Sequence, residues 1–197
     1  SIQAYQKISI DDLENNELAL MQFQLGYLYF KKGDWDQSTS YLMSIRQVQT
    51  SPFYTDANYY AGFVALQQKD FKLALSCFKI AEQNKAYNRL TPFYISQLDY
   101  FLGDIDAALK NTEQALQNKG QYYTDQLAQL MGHLLFEQKQ YEKALPYLAN
   151  YVKSQKQVES QDLYQLSFCY FQAQQWNDAI QGFKQLANVE DSLGQNS

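Results

Sequence analysis

The chain has 197 residues, with 16 basic against 21 acidic side chains and a net charge of -5; neither sign is gathered into a block, so the footprint of a nucleic-acid binder is missing. No apolar run approaches the roughly 18 to 20 residues that span a bilayer. The two cysteines, Cys77 and Cys169, fall at different places in the pattern described below, which argues against a disulfide framework or a thiolate metal site and for two small buried hydrophobes.

In chain order, residues 1–18 contain Tyr5, Ile8, Ile10 and Leu13 and read as an N-terminal helical cap or the remnant of a preceding repeat. The acids Asp11, Asp12, Glu14 and Glu17 sit where a helix begins, so their spacing is that of side chains favoured by the positive helix end, not of a catalytic carboxylate pair. From Glu17 to Phe30, Leu18, Met21, Leu25 and Leu28 mark one apolar face and Phe23, Tyr27 and Phe30 another, so this helix touches two neighbours. Lys31-Lys32-Gly33-Asp34 form a turn, and a second helix runs to about Val48, where Ser51-Pro52 opens the next unit. The same alternation predicts helices at 53–67 and 71–84, 91–101 and 105–117, 122–137 and 141–154, and 160–173 and 176–188. The connecting turns, Gln68-Lys69-Asp70, Gly103-Asp104, Lys139-Gln140 and Gln174-Gln175, allow only an antiparallel return. Pro146 lies just beyond the first turn of its helix, and a small bend is expected there. Residues 191–197, opening Asp191-Ser192-Leu193-Gly194, read as the start of a truncated sixth unit, so a fragment of a longer protein is expected.

Beneath this alternation lies a register. Trp35, Phe71, Tyr141 and Trp176 each follow a turn, with Ile105 in the third place, and a small residue comes three positions later at Ser38, Ala74, Ala108, Ala144 and Ala179. A period of that kind is the mark of a repeated helical hairpin, and points to a binding surface and away from a catalytic pocket. The stretches FQLGYLYFKKGDWDQSTSYL (Phe23–Leu42), YYAGFVALQQKDFKLALSCFKIA (Tyr59–Ala81), FLGDIDAALKNTEQAL (Phe101–Leu116), LMGHLLFEQKQYEKALPYL (Leu130–Leu148) and YQLSFCYFQAQQWNDAIQGF (Tyr164–Phe183) resemble the tetratricopeptide repeat family in phase.

That resemblance implies an all-α fold: a right-handed αα-superhelix, the tetratricopeptide solenoid, made of antiparallel helical hairpins. Five repeats would span 19–190, at about 19–54, 55–88, 89–124, 125–159 and 160–190. It places Gly26, Gly62 and Gly132 where the paired helices come closest, with Ser96 and Ser167 in the other two units. The third unit departs most, with Asp99 in place of a bulky aromatic and Thr112 where Phe78 and Phe183 stand in theirs, so looser packing or a change of curvature is expected there. The segments SPFYTDANYYAG, TPFYISQLDYFLGD and DSLGQN are further similar to cell-envelope tetratricopeptide proteins of Bacteroidetes-type bacteria, which implies a periplasmic or envelope-associated location, a cytoplasmic one being the alternative.

Carried across residue by residue, the family's groove positions are Phe23, Tyr27, Phe30, Tyr59, Phe63, Phe93, Gln97, Tyr100, Gln129, His133, Phe136, Tyr164, Phe168 and Phe171. This aromatic and amide surface suits the apolar anchors and backbone groups of a peptide. The lysine and asparagine clamp that some members use for a C-terminal carboxylate is replaced by Phe23, Tyr27, Tyr59 and Phe63. Rows of aromatics at helical spacing are also what a core produces, so internal packing stands beside ligand contact for each residue.

No catalytic, cofactor or metal site emerges. His133 is the sole histidine, and its helical neighbours Gln129, Met131 and Glu137 supply at most one carboxylate. Gly33 and Gly103 are isolated turn glycines, without the spaced glycines and lysine of a phosphate cradle. Trp35 and Trp176 are placed to cover hairpin junctions. The expected function is a non-enzymatic scaffold binding a protein or peptide, with a segment of its own parent chain as a variant partner. The alternatives are structural assembly through the ends or convex face, and a regulatory domain of a larger enzyme or DNA-binding protein.

Overall fold

The computed structural model describes residues 2–5 and 14–194. Two compact units divide the chain between Asp104 and Ile105, inside the third predicted repeat. The first contains α1 (Ile2–Tyr5), α2 (Asn15–Lys32), α3 (Trp35–Arg46), α4 (Tyr54–Gln67), α5 (Phe71–Ala81) and α6 (Thr91–Phe101). The second contains α7 (Ile105–Gln117), α8 (Thr124–Glu137), α9 (Tyr141–Ser154), α10 (Ser160–Gln172) and α11 (Trp176–Gly194). All regular structure among the described residues is α-helical. Within each unit every helix packs on its successor from α2 and α7 onward, and first helices of consecutive hairpins also touch, α2 with α4 and α8 with α10. That second-neighbour contact is the mark of stacked hairpins.

A single turn geometry recurs. Gly33, Lys69, Gly103, Lys139 and Gln174 each take a left-handed conformation, with φ of 78°, 60°, 84°, 58° and 60°. The next residue's N–H reaches back to the carbonyl five before it, Asp34 to Tyr29 (3.0 Å), Asp70 to Ala65, Asp104 to Asp99, Gln140 to Leu135 and Gln175 to Tyr170 (2.9 Å each). This closure satisfies the last helix carbonyls, and within each unit, at Gly33, Lys69, Lys139 and Gln174, it reverses the chain in two or three residues. Asp34 and Asp70 then cap the following helix, their carboxylates accepting from Gln37 N and Leu73 N.

Hairpin closure depends on a small residue facing a large one. A Cβ built on Gly26 would lie 2.7 Å from Leu42 Cδ2, on Gly62 2.7 Å from Phe78 Cε1, and on Gly132 2.6 Å from Leu148 Cδ2. Those three partners are completely buried, so the missing methyl is the space they fill. The fifth hairpin inverts the arrangement: there Ser167 supplies the side chain, and a Cβ on Gly182 would meet its hydroxyl at 2.0 Å. Ser38 is also fully buried, its hydroxyl donating to the Gly26 carbonyl at 2.9 Å.

Several boundaries differ from expectation. α2 takes in Lys31 and Lys32, because the left-handed turn begins only at Gly33. α5 stops at Ala81, not residue 84, because Asn84 organises a local turn, its side-chain oxygen accepting from Ala86 N. α9 runs unbroken through Pro146. α11 continues through Gly194, so Asp191 to Gly194, read above as the opening of a sixth unit, extend the last helix; residues 195–197 lie outside the described residues. So do Ile8, Ile10, Leu13, Asp11 and Asp12. Glu14 and Glu17 do serve the start of α2: the Glu17 carboxylate accepts from Glu14 N at 3.1 Å in a reciprocal capping box. Ile2 and Tyr5 of α1 pack on Met21, Leu25 and Tyr29.

Candidate functional site

In the first unit the expected groove residues of α2 and α4 join one network of rings. Its centre is Tyr60, a residue outside the expected set. It lies 6.0 Å from Phe23, 5.0 Å from Tyr27, 5.3 Å from Phe30 and 5.3 Å from Tyr59 between ring centroids, edge-on or tilted in each case. Phe23 also stacks on Phe53 at 5.2 Å, and Phe30 meets Trp35 edge-on at 5.8 Å. Phe63 contacts Tyr59, Phe78 and Tyr94, each at about 5 Å, and Tyr94 reaches Phe93. Offset and edge-on geometry is what ring quadrupoles favour. All of these expected residues remain partly accessible; Gln97 is exposed and Tyr100 half-buried on α6. The α2 and α4 rings are therefore both packing between hairpins and a surface.

Polar groups fasten this unit. The Arg46 guanidinium on α3 donates to Asn58 Oδ1 on α4 (2.8 Å) and to Ser76 Oγ on α5 (2.5 Å). Asn58, fully buried, donates in turn to the Tyr54 carbonyl. Asp99 is also buried, with Lys79 Nζ at 3.4 Å. In the linker after α5, Tyr87 stacks face to face on Tyr59 at 4.1 Å and donates its hydroxyl to Asp56.

The second unit combines a polar cluster with an open aromatic row. Asp162, in the first turn of α10, is 1% exposed. Gln129 Nε2 on α8 donates to both its oxygens, at 3.1 and 2.9 Å, and His133 Nε2 lies 2.6 Å from Oδ1. A carboxylate oxygen accepts, so the His133 Nε2–H is the donor in this contact. Two expected groove residues are thus joined by a partner that sequence reasoning assigned no role, since an acid in a helix's first turn reads as a dipole contact. Among the described residues no group of three or more His, Cys, Asp or Glu has metal-binding geometry. Beside this cluster, Phe136 and Tyr141 meet Phe168 edge-on at 5.6 and 5.1 Å, and Phe168 continues to Tyr164 and Phe171. Phe171 meets Trp176 at 5.4 Å. Tyr164, Phe171 and Trp176 are 44%, 47% and 52% exposed, so this row faces solvent.

On another side of the second unit, a recess of about 610 Å³ between α7, α8 and α9 has Leu109, Met131, Leu135, Pro146 and Tyr147 in its walls, with Lys110 and Glu113 among its charged groups. Cys77 and Cys169 are free and buried, and burial pushes each thiol up to about 11. No described helix is long and apolar enough to cross a membrane.

Residues 163–189 match the tetratricopeptide repeat family. No curated protein matches the chain. Among solved structures, the chain is similar to YrrB, described as a TPR protein with an unusual peptide-binding site, at 17% identity and a TM-score of 0.74, covering 97% of this chain and 94% of that one. It is similar to MamA at 13% identity and a TM-score of 0.71 over 91% and 95% of the two chains. It is similar to PilF of Pseudomonas aeruginosa at 16% and 0.63 over 87% and 76%. At these identities the likeness is one of fold, and the fold is that of tetratricopeptide repeats.

Proposed function

We propose that this tetratricopeptide-repeat chain is a non-enzymatic scaffold that binds an extended or helical peptide segment of a partner protein on the aromatic face of α10 in its second unit. The observation that carries this reading is the solvent-facing row Tyr164, Phe168 and Phe171 on α10, flanked by the His133–Asp162–Gln129 cluster. The rings offer large apolar area with little side-chain entropy to lose, and the preformed polar cluster offers directional hydrogen bonding. The peptide-binding site named for YrrB belongs to that protein, and lends this reading support through a shared fold.

Selection of a peptide library on the immobilised chain tests it. Peptides that bind should lose affinity about tenfold or more with Tyr164→Ala or Phe171→Ala, exposed positions whose truncation should leave the fold intact. Val48→Ala, at a 51% exposed residue of the first unit, should leave binding unchanged. Equal binding by all three variants would overturn the assignment of the face. A second reading has its own observation: the recess between α7, α8 and α9 favours contact on the second-helix side. Selected peptides lost with Leu109→Ala and retained by Tyr164→Ala would place the partner there.

A further inference from the structure

Tyr87 is held in two different ways. Its backbone is fixed by the linker itself: the N–H donates to the Asn84 carbonyl, and the Tyr87 carbonyl accepts from Leu90 N, Thr91 N and the Thr91 hydroxyl. Asn84 is tied to α4 through Thr55 Oγ1 at 2.8 Å. The side chain leaves this frame and lies on α4, with its ring parallel to that of Tyr59, 4.1 Å away at 15°, and its hydroxyl on Asp56. Asp56 and Tyr59 are one helical turn apart, on the face that continues to Tyr60 and Phe63. The linker that makes this possible, residues 82–90, is longer than the other linkers between hairpins, 47–53, 118–123 and 155–159.

An aromatic floor with a carboxylate at hydroxyl distance from it is a complete recognition unit for a phenol: the stack accepts any ring, and the acceptor rewards the hydroxyl. Because the backbone at Tyr87 is fixed independently, rotation of one side chain empties the unit without unfolding the linker. We propose that Asp56 and Tyr59 form a tyrosine-recognition site in which Tyr87 is the resident ligand, exchanged for a tyrosine side chain of a bound segment. This goes beyond the peptide-binding reading, because Tyr59 lies in the first unit and the α10 row in the second. Occupancy by Tyr87 lowers the apparent affinity for an incoming tyrosine by the fraction of time the site is filled. Burial first, and the hydrogen bond to Asp56 second, hold the Tyr87 phenol well above the ordinary tyrosine range, so the resident stays protonated and keeps donating.

The test uses small probes on the full chain and needs no natural partner. In Tyr87→Ala, p-cresol should raise the thermal midpoint by a few degrees, and toluene, the same ring without its hydroxyl, by clearly less. Adding Asp56→Asn should remove the difference between the two. The tripeptide Gly-Tyr-Gly, followed by NMR shifts of Tyr59, should bind Tyr87→Ala about tenfold more tightly than the wild type, with Gly-Phe-Gly weaker. Tyr87→Phe keeps the ring and loses the hydroxyl, so it should remain folded and bind Gly-Tyr-Gly at an intermediate level. Equal effects of p-cresol and toluene, or equal affinity of wild type, Tyr87→Phe and Tyr87→Ala for Gly-Tyr-Gly, would overturn the proposal. If phenol selectivity is found while library peptides ignore Tyr164→Ala and Phe171→Ala, the face assignment fails and this site stands. The reverse pattern sinks this site alone.

Discussion

The two units carry aromatic residues in the same register and use them differently. In the first, the rings on α2 and α4 close on one another through Tyr60, and the next linker returns Tyr87 onto Tyr59. In the second, Gln129 and His133 occupy the α8 positions of that register, and their demand for a polar partner is met by Asp162. The α10 rings beyond them are left about half exposed at Tyr164 and Phe171. The contrast teaches that an aromatic at a groove position becomes packing where the neighbouring hairpin offers another ring. At Tyr164 and Phe171 it stays about half exposed.

Truncation across the two units separates these roles. Phe63→Ala removes a ring that touches Tyr59, Phe78 and Tyr94, and should destabilise the first unit by about 3 kcal/mol. Phe171→Ala should lower stability by less than about 1 kcal/mol in urea unfolding. Similar losses at both positions would break the comparison. Next in size, His133→Ala leaves the buried Asp162 with Gln129 alone and should destabilise by about 2 kcal/mol, partly recovered when Asp162→Asn is added.

The cysteines sample both units with one chemistry. Each thiol is raised by burial from 9.0 to about 11, so the folded state disfavours the thiolate relative to the unfolded chain. Their contribution to stability is therefore full below pH 9 and is lost as the pH rises toward about 11. Iodoacetamide at pH 8 should label neither cysteine in the native protein and both in urea. Rapid native labelling of one alone would show that its unit opens locally.

The turns carry a backbone effect. Lys69→Gly and Lys139→Gly relieve a left-handed backbone at a residue with a Cβ and should each raise stability by roughly 1 kcal/mol, whereas Gly33→Ala should lower it by a similar amount.

The hairpin pattern was legible because it is written in residue size. Gly26, Gly62 and Gly132 each face a large side chain sixteen positions later, and that spacing survives without an alignment. All five turns are legible as turns; residue type advertises the left-handed conformation at Gly33 and Gly103 and not at Lys69, Lys139 and Gln174, where the closing hydrogen bond imposes it. Helical periodicity assigns a residue to a face and does not choose its neighbour. Tyr60, one position from an expected groove residue, lies outside the expected set for that reason although it centres the ring network. Tyr87 lies in a linker, where no period applies, and the burial of Asp162 follows from tertiary contact with α8.

Mapping a library-selected peptide onto the chain by NMR, with aromatic and histidine resonances assigned, tests the scaffold reading most directly. The account predicts shifts concentrated at Tyr164, Phe168, Phe171 and His133, with nuclear Overhauser contacts from the peptide to those rings. Shifts confined to Leu109, Met131, Pro146 and Tyr147, with the α10 row silent, would contradict it.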